Sequence, residues 1–236
     1  NETYIHWVQT GRPFTILKAG MTLDGQIATA GGESQWITGE PARLRGHRLR
    51  AEVDAVLVGI GTVLRDDPQL TARTGGDPVR LAPRQPLRVV VDSRLRIPLR
   101  AAVLQRQDEA HTVIATTRAA PSKKIAALQG RGIDVLVLPG AGGHVDLAAL
   151  WTRLGQLGVT SLLVEGGSDL NAAALRAGLP QRLMCFIAPL LLGGQDAKGL
   201  FGGLSPRRLR EALPLKNLRS EPVGRDMLIQ ADFSTR

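Results

Sequence analysis

With 236 residues, 43% of them apolar, the chain has room for one large domain or two small ones around a sizeable core. Aromatics make up only 3%, so that core must be aliphatic, as in α/β sheets. The net charge of +9 comes mainly from scattered arginines, with no basic run interleaved with aromatics, which argues against a nucleic-acid partner and suits a phosphorylated ligand.

Residues 1–13 read as a tail or linker, without the apolar core of a secretory signal. Residues 14–19 alternate as a strand, with Lys18 near its end, where a lysine is ordinarily a solvated edge charge. Residues 20–38 then form a long loop dense in Gly, Ser and Thr; connections of this length inside a domain tend to be functional. Within it, Asp24-Gly25 marks a turn, and Trp36 is an aromatic that gains most by burial or by covering a flat ligand. Pro41 takes the first helical position, and the helix behind it to Val53 carries Arg43, Arg45, Arg48 and Arg50. Those arginines form a solvated face, although one pointing into a cleft could grip a phosphate with its two-pronged guanidinium.

Residues 55–58 make a buried strand leading into Gly59-Ile60-Gly61-Thr62-Val63-Leu64. This falls short of the dinucleotide fingerprint, because Leu64 stands where the third glycine belongs. Asp66 and Asp67 could cap a turn or hydrogen-bond a ribose, and Leu70 to Arg73 reads as a short extended segment. Residues 74–86 are a Gly/Pro-rich surface excursion. Strands at 87–91 and 112–115 end in Asp92-Ser93-Arg94 and Thr116-Thr117-Arg118. A short helix capped by Ser122 runs to Gly130, a strand follows at 134–138, and Asp146 opens a helix closed by Gly158. This alternation argues for a largely parallel, helix-covered sheet.

The apolar run Leu162-Leu163-Val164 breaks off in Glu165-Gly166-Gly167-Ser168-Asp169, and Leu170-Asn171-Ala172-Ala173 begins a helix with Ser168 or Asp169 as N-cap. The glycines allow close approach, the helix start favours a phosphate, and Glu165 falls at the carboxyl end of a strand, where open α/β sheets do chemistry. Further strands at 183–187 and 227–229 suggest antiparallel additions at one side. The only cysteine, Cys185, lies in the first of these; it excludes an intrachain disulfide and a Cys-based zinc site and points to a reducing, cytoplasmic setting. No segment approaches a membrane span.

Taken in order, Lys18-Ala19-Gly20, Leu23-Asp24-Gly25, Gly32-Glu33-Ser34-Gln35-Trp36-Ile37-Thr38, Val58-Gly59-Ile60-Gly61-Thr62-Val63 and Asp66-Asp67-Pro68 with Leu70-Thr71-Ala72-Arg73 resemble the reductase of riboflavin biosynthesis. So do Val91-Asp92-Ser93, Val164-Glu165-Gly166-Gly167 and Pro189-Leu190-Leu191-Leu192-Gly193-Gly194, so that the resemblance covers nearly the whole chain. Residues 1–13 resemble the linker after the deaminase half of the bifunctional deaminase-reductase, leaving 14–236 as the reductase domain. One cysteine cannot supply the deaminase zinc signature.

The resemblance implies a dihydrofolate-reductase-like α/β fold: a largely parallel central sheet with helices on both faces and antiparallel strands at the C-terminal end. It also implies NADPH as hydride donor, a homodimer, and reduction of the ribosyl group of a phosphoribosylamino-pyrimidine to a ribityl chain. By the same resemblance Gly20, Trp36, Thr62, Asp66, Ser93 and the run Gly167, Ser168, Asp169, Leu170, Asn171, Ala172 and Ala173 contact NADPH. Ser34, Arg50, Leu70, Arg73 and Glu165 contact the substrate, and Lys18 and Glu165 handle protons. Whether the substrate arrives deaminated, and which of Ser93, Arg94 and Arg118 reads the 2′-phosphate, stay open at this point. A same-fold oxidoreductase acting on another pterin- or pyrimidine-like compound is the competing reading.

Overall fold

Aliphatic runs become strands and the segments between them helices, as the alternation requires. In the computed structural model, which describes residues 1–73, 80, 82 and 84–234, the chain begins with α1 (Glu2–Thr10), β1 (Phe14–Thr22), β2 (Gln26–Ala28) and α2 (Glu40–Glu52). It continues through β3 (Ala55–Gly59), α3 (Ile60–Asp66), β4 (Leu87–Val91), β5 (Thr112–Thr117), α4 (Ser122–Gln129) and β6 (Asp134–Leu138). Next come β7 (Gly140–Ala141), β8 (His144–Val145), α5 (Leu147–Gln156), β9 (Ser161–Val164) and α6 (Ser168–Arg176). The last elements are β10 (Arg182–Ala188), β11 (Lys198–Gly199), β12 (Leu215–Val223) and β13 (Asp226–Phe233). Two compact units result, Asn1–Phe14 with His47–Leu163, and Thr15–Gly46 with Val164–Arg236.

In the first unit β3, β4, β5 and β6 pair in parallel and β9 neighbours β3. Val56, Leu57, Val58, Val89, Val90 and Ile114 are fully buried, as expected of a parallel sheet whose strands are apolar on both faces. Helix α5 buries Leu150, Trp151 and Leu154, and its N-cap Asp146 accepts from Ala148 N and Ala149 N, as the sequence predicts. The segment expected to be a tail is instead helix α1. Trp7 Nε1 donates to Gly155 O at 3.0 Å, His6 stacks edge-on against Phe14, and Gly155 lets the Gly11 backbone approach where a side chain would block it.

Two polar groups, a half-buried Asp54 and a buried Arg88, organise this unit. Asp54 accepts from the backbone N–H and hydroxyl of both Thr160 and Ser161, at 2.6–3.0 Å. Burial raises its pKa, but these four hydrogen bonds outweigh the burial and hold the carboxyl below its ordinary value. Arg88, 1% exposed, donates to the carbonyls of Gln69, Gln105 and Ala110, and burial lowers its guanidinium to about 10 against the opposing pull of Glu109.

In the second unit β1 and β10 are parallel, while β13 pairs antiparallel with β10 and with β12. Among the longer strands of the two units pairing is mostly parallel, the antiparallel pairs coming from the C-terminal strands. Leu17, Ala19, Leu183 and Cys185 form the core of one face, joined by Met21, Leu200, Ile229 and Phe233. Several expected bounds shift. The first strand runs on to Thr22 and the following loop contains β2, because β2 finds a partner in β11 far along the chain. Helix α2 starts at Glu40, one residue before Pro41, and Pro121 rather than Ser122 occupies the N-cap of α4. Leu70 is left-handed, φ 55°, not extended. The surface excursion expected over 74–86 lies largely outside the described residues.

Replacing Asp54 with Ala removes these four hydrogen bonds and the ion pair to Arg84, and should cost roughly 2–4 kcal/mol at neutral pH, measured by denaturant unfolding. Because the folded carboxyl sits below its unfolded value, its stabilisation is complete above the ordinary carboxylate range near ~4 and is lost as pH falls through the lower folded value. The gap between wild type and Asp54→Ala should accordingly narrow in acid.

Candidate functional site

Strand alternation along β1 turns Leu17 and Ala19 to the apolar core and Lys18 and Gly20 to the opposite, less buried face. Lys18 therefore stands in mid-strand, in register with Met184, rather than at a strand end. Its Nζ lies 3.9 Å from Glu165 Oε2, the first residue after β9, and 5.8 Å from the centre of the Phe186 ring. The two side chains are 20% and 13% exposed, so their charges interact through less water than a surface pair would. Gly46 lies alongside: a Cβ there would be in ordinary contact with Nζ, at 3.5 Å. An ammonium and a carboxylate so placed can deliver and recover a proton at one substrate atom. Cys185, on the core side of the neighbouring strand, takes no part. Burial pushes its thiol up to about 12, against the lowering effect of Lys18.

Beyond Glu165 the chain turns at Gly166-Gly167 and enters α6. Here the N-cap is Gly167, and Ser168 is the first helical residue, not the cap. Its hydroxyl donates to Gly199 O at 2.6 Å, Gly202 N donates to Ser168 O at 3.0 Å, and Asn171 Nδ2 donates to Leu200 O at 3.2 Å. Residues 199–202 thus strap the helix start. Gly166 is required by packing, since a Cβ would meet Asn171 Oδ1 at 2.6 Å. Gly167 faces open space, with nothing within 4 Å of a Cβ. Asn171 and Ala172 are buried, whereas Asp169 is exposed. The open glycine and the first-turn N–H groups are the chemistry that a nucleotide phosphate requires, so the residues present fit such a cofactor.

Trp36 is 66% exposed, with the Arg43 guanidinium 4.6 Å from its ring centre. Arg43 also donates to Thr38 O at 2.9 Å, and Ser34 O accepts from Ile37 N. Gly20 is tight against this loop: a Cβ would be 2.9 Å from Thr38 Cγ2. The Asp24 carboxylate does more than turn the chain. It accepts from Thr22 Oγ1, from Leu192 N and, at 2.7 Å, from Gly193 N, and these hydrogen bonds hold its pKa below the ordinary value. The Leu-Asp-Gly and Leu-Leu-Leu-Gly-Gly motifs are thus one interaction.

In the first unit, Thr62 and Asp66 lie on α3, and burial raises the Asp66 carboxyl against the lowering effect of Arg65. The backbone of 69–72 is anchored at Gln69, Thr71 and Ala72. Arg88 holds Gln69 O, Arg50 Nη1 and His47 Nδ1 contact Thr71 O at 3.1 and 3.2 Å, and Gln85 brackets Ala72. Leu70 is 2% exposed, and Arg73 Nη2 donates to Gln69 Oε1. Ser93 Oγ accepts from Val145 N and its carbonyl accepts from Thr117, one of the residues that line a cleft of about 510 Å³ together with Arg118, Ala119 and residues 137–140. The sequence reading missed Arg88, the 199–202 strap and the role of Asp24. Only Asp24 carried a local signal.

Residues 13–229 match the family model described as the RibD C-terminal domain. A riboflavin biosynthesis protein RibD from Actinobacillus pleuropneumoniae is 42% identical over 97% of this chain and 59% of its own length. The 2,5-diamino-6-ribosylamino-4(3H)-pyrimidinone 5′-phosphate reductase of Methanothermobacter thermautotrophicus is 44% identical over 93% of this chain and 97% of that relative. Among solved structures, Acinetobacter baumannii RibD, form 1, superposes with a TM-score of 0.85 at 30% identity, over 100% of this chain and 62% of that one. The chain spans about three fifths of the RibD proteins it matches.

The two turn glycines should separate experimentally. Gly166→Ala forces a shift of Asn171 or Leu170 and should cost roughly 1–3 kcal/mol in thermal unfolding. Gly167→Ala, at φ −81° and with no neighbour to meet, should stay within about 0.5 kcal/mol of wild type.

Proposed function

This chain belongs to the RibD C-terminal-domain family, and on that premise we propose that it catalyses the NADPH-dependent reduction of 5-amino-6-(5-phosphoribosylamino)uracil to its ribityl product in riboflavin biosynthesis. The observation that carries the reading is the Lys18–Glu165 pair, 3.9 Å apart, on the less buried face of β1 and just past the end of β9. The ribosylamine must open to an imine, whose carbon accepts hydride and whose nitrogen accepts a proton. NADPH, when bound, supplies the hydride. Ring opening passes the amine proton to the ring oxygen, which keeps it as a hydroxyl, and after hydride addition the nitrogen takes a second proton from the Lys18–Glu165 pair, which solvent reprotonates; Glu165 also orients the opened sugar. Ser34, Arg50, Leu70 and Arg73 hold the substrate, the arginines through its phosphate and ribose, and Leu70, being buried, through its backbone.

Gly20, Trp36, Thr62, Asp66, Ser93 and Gly167 to Ala173 are the proposed cofactor contacts. The open Gly167, the α6 start and the exposed Trp36 ring support this set, as does the raised Asp66 carboxyl. For the 2′-phosphate, Arg118 is favoured over Arg94 because it lines a cleft beside Thr117, which is hydrogen-bonded to Ser93. The reading includes a homodimer, a cytoplasmic setting, and a deaminase module in cis ahead of residues 1–13, as the greater length of the RibD relatives suggests. Nucleic acid and membrane have no part in it; among the described residues no helix is long and apolar enough to cross a membrane.

One observation favours a second substrate form. The archaeal relative, matched over 97% of its length, is named for the diamino compound. The test is NADPH oxidation with the deaminated and the aminated phosphoribosylamino-pyrimidines in parallel. Turnover on the deaminated compound is expected; turnover on the aminated compound alone would replace it, and silence on both would end the proposal. Lys18→Met should lower kcat by about 10²–10⁴-fold. Arg118→Ala should raise KM for NADPH by roughly tenfold and leave KM for NADH unchanged, as loss of one charge-assisted phosphate contact predicts.

A further inference from the structure

The segment that carries Trp36 is gripped by a hairpin some 187 residues away in sequence. Strands β12 and β13 are joined by Gly224-Arg225, with Gly224 at φ +65°, where glycine is suited to a two-residue turn. The residue after that turn, Asp226, has a side chain that is 0% exposed. Its Oδ2 accepts from Gly39 N at 2.7 Å, and its Oδ1, without a hydrogen-bond partner among the described residues, lies 3.7 Å from Arg225 Nε. Arg225 Nη2 donates in turn to Ile37 O at 3.3 Å.

The turn's approach depends on a missing side chain: a Cβ on Gly224 would strike Pro41 Cγ at 2.7 Å, whereas one on Gly39 would only touch Asp226 Oδ2 at 3.4 Å and Arg225 at 3.5 Å. From the other side, Arg43 holds Thr38 O and lies over the Trp36 ring. Gly39 is also where the loop passes into α2, its carbonyl accepting from Arg43 N. A buried carboxylate on a backbone N–H is a strong, charge-assisted anchor, and it costs too much desolvation to sit there idle.

We infer that Asp226 is a positioning residue: through the Gly39 N–H it fixes the 36–39 backbone, and with it the exposed Trp36 ring, in the orientation that receives the cofactor. The inference rests on the assignment of Trp36 to cofactor binding. Asp226 touches neither cofactor nor substrate, so its loss acts on binding and leaves the chemical step intact.

The experiment measures KM for NADPH, kcat and thermal stability for Asp226→Ala, Asp226→Asn, Arg225→Ala and Trp36→Phe in the full chain. Asp226→Ala should raise KM about 5–30-fold with kcat within about twofold, the pattern of lost ground-state binding. Asp226→Asn keeps an oxygen for the Gly39 N–H and should recover most of the loss. Arg225, a 55% exposed side chain, can be cut back without a buried change; Arg225→Ala should raise KM about two- to fivefold and decides the matter if Asp226→Ala does not fold. If Trp36→Phe raises KM while Asp226→Ala or Arg225→Ala leaves it at the wild-type value, the clasp is overturned and the cofactor reading survives. If Trp36→Phe also leaves KM unchanged, the assignment of Trp36 fails and takes the inference with it.

Discussion

The period of two along β1 is the constraint on which the second unit depends. It commits Leu17 and Ala19 to a core shared with Leu183 and Cys185, and so presents Lys18 and Gly20 on the other face whatever their own preferences. A one-residue slip would bury the ammonium and expose the core. The parallel partner β10 fixes the register, placing Met184 beside Lys18 and Phe186 beside Gly20. The lysine is thus held near Glu165 by apolar packing on the reverse side of its own strand.

A second device recurs at the ends of strands. Asp24, Asp54, Asp92 and Asp226 each accept backbone N–H groups, Asp92 from nearby Ile97 and the others from residues far along the chain, Gly193, Thr160 with Ser161, and Gly39. Backbone donors at a strand end have no ladder partner, and a carboxylate satisfies them more strongly than a neutral oxygen. Loops fixed in this way keep their shape without a large apolar core, which suits a chain with few aromatics.

Local patterns in the sequence were enough to read the parallel strands, the α5 cap and the strand-turn-helix around Glu165, because each is coded within a few residues. The proximity of Lys18 to Glu165 was legible only through the family resemblance, since 147 positions separate them and no periodicity joins them. Helix α1 was hidden because its docking depends on Gly155, on a different helix, and β12 because its residues are mostly exposed and lack apolar alternation. The Asp226 contact left no trace at all. An aspartate at the start of a strand reads as a turn residue until the fold brings Gly39 to it.

The burial of Cys185 has a practical side. With its thiol pushed up by burial and 2% exposed, the one cysteine of this chain should react slowly with maleimides and iodoacetamide in the folded state at neutral pH. A probe cysteine engineered onto any exposed loop would therefore be labelled ahead of it. Fluorophore or spin-label distances within either unit are open to measurement without first deleting a native residue from the core.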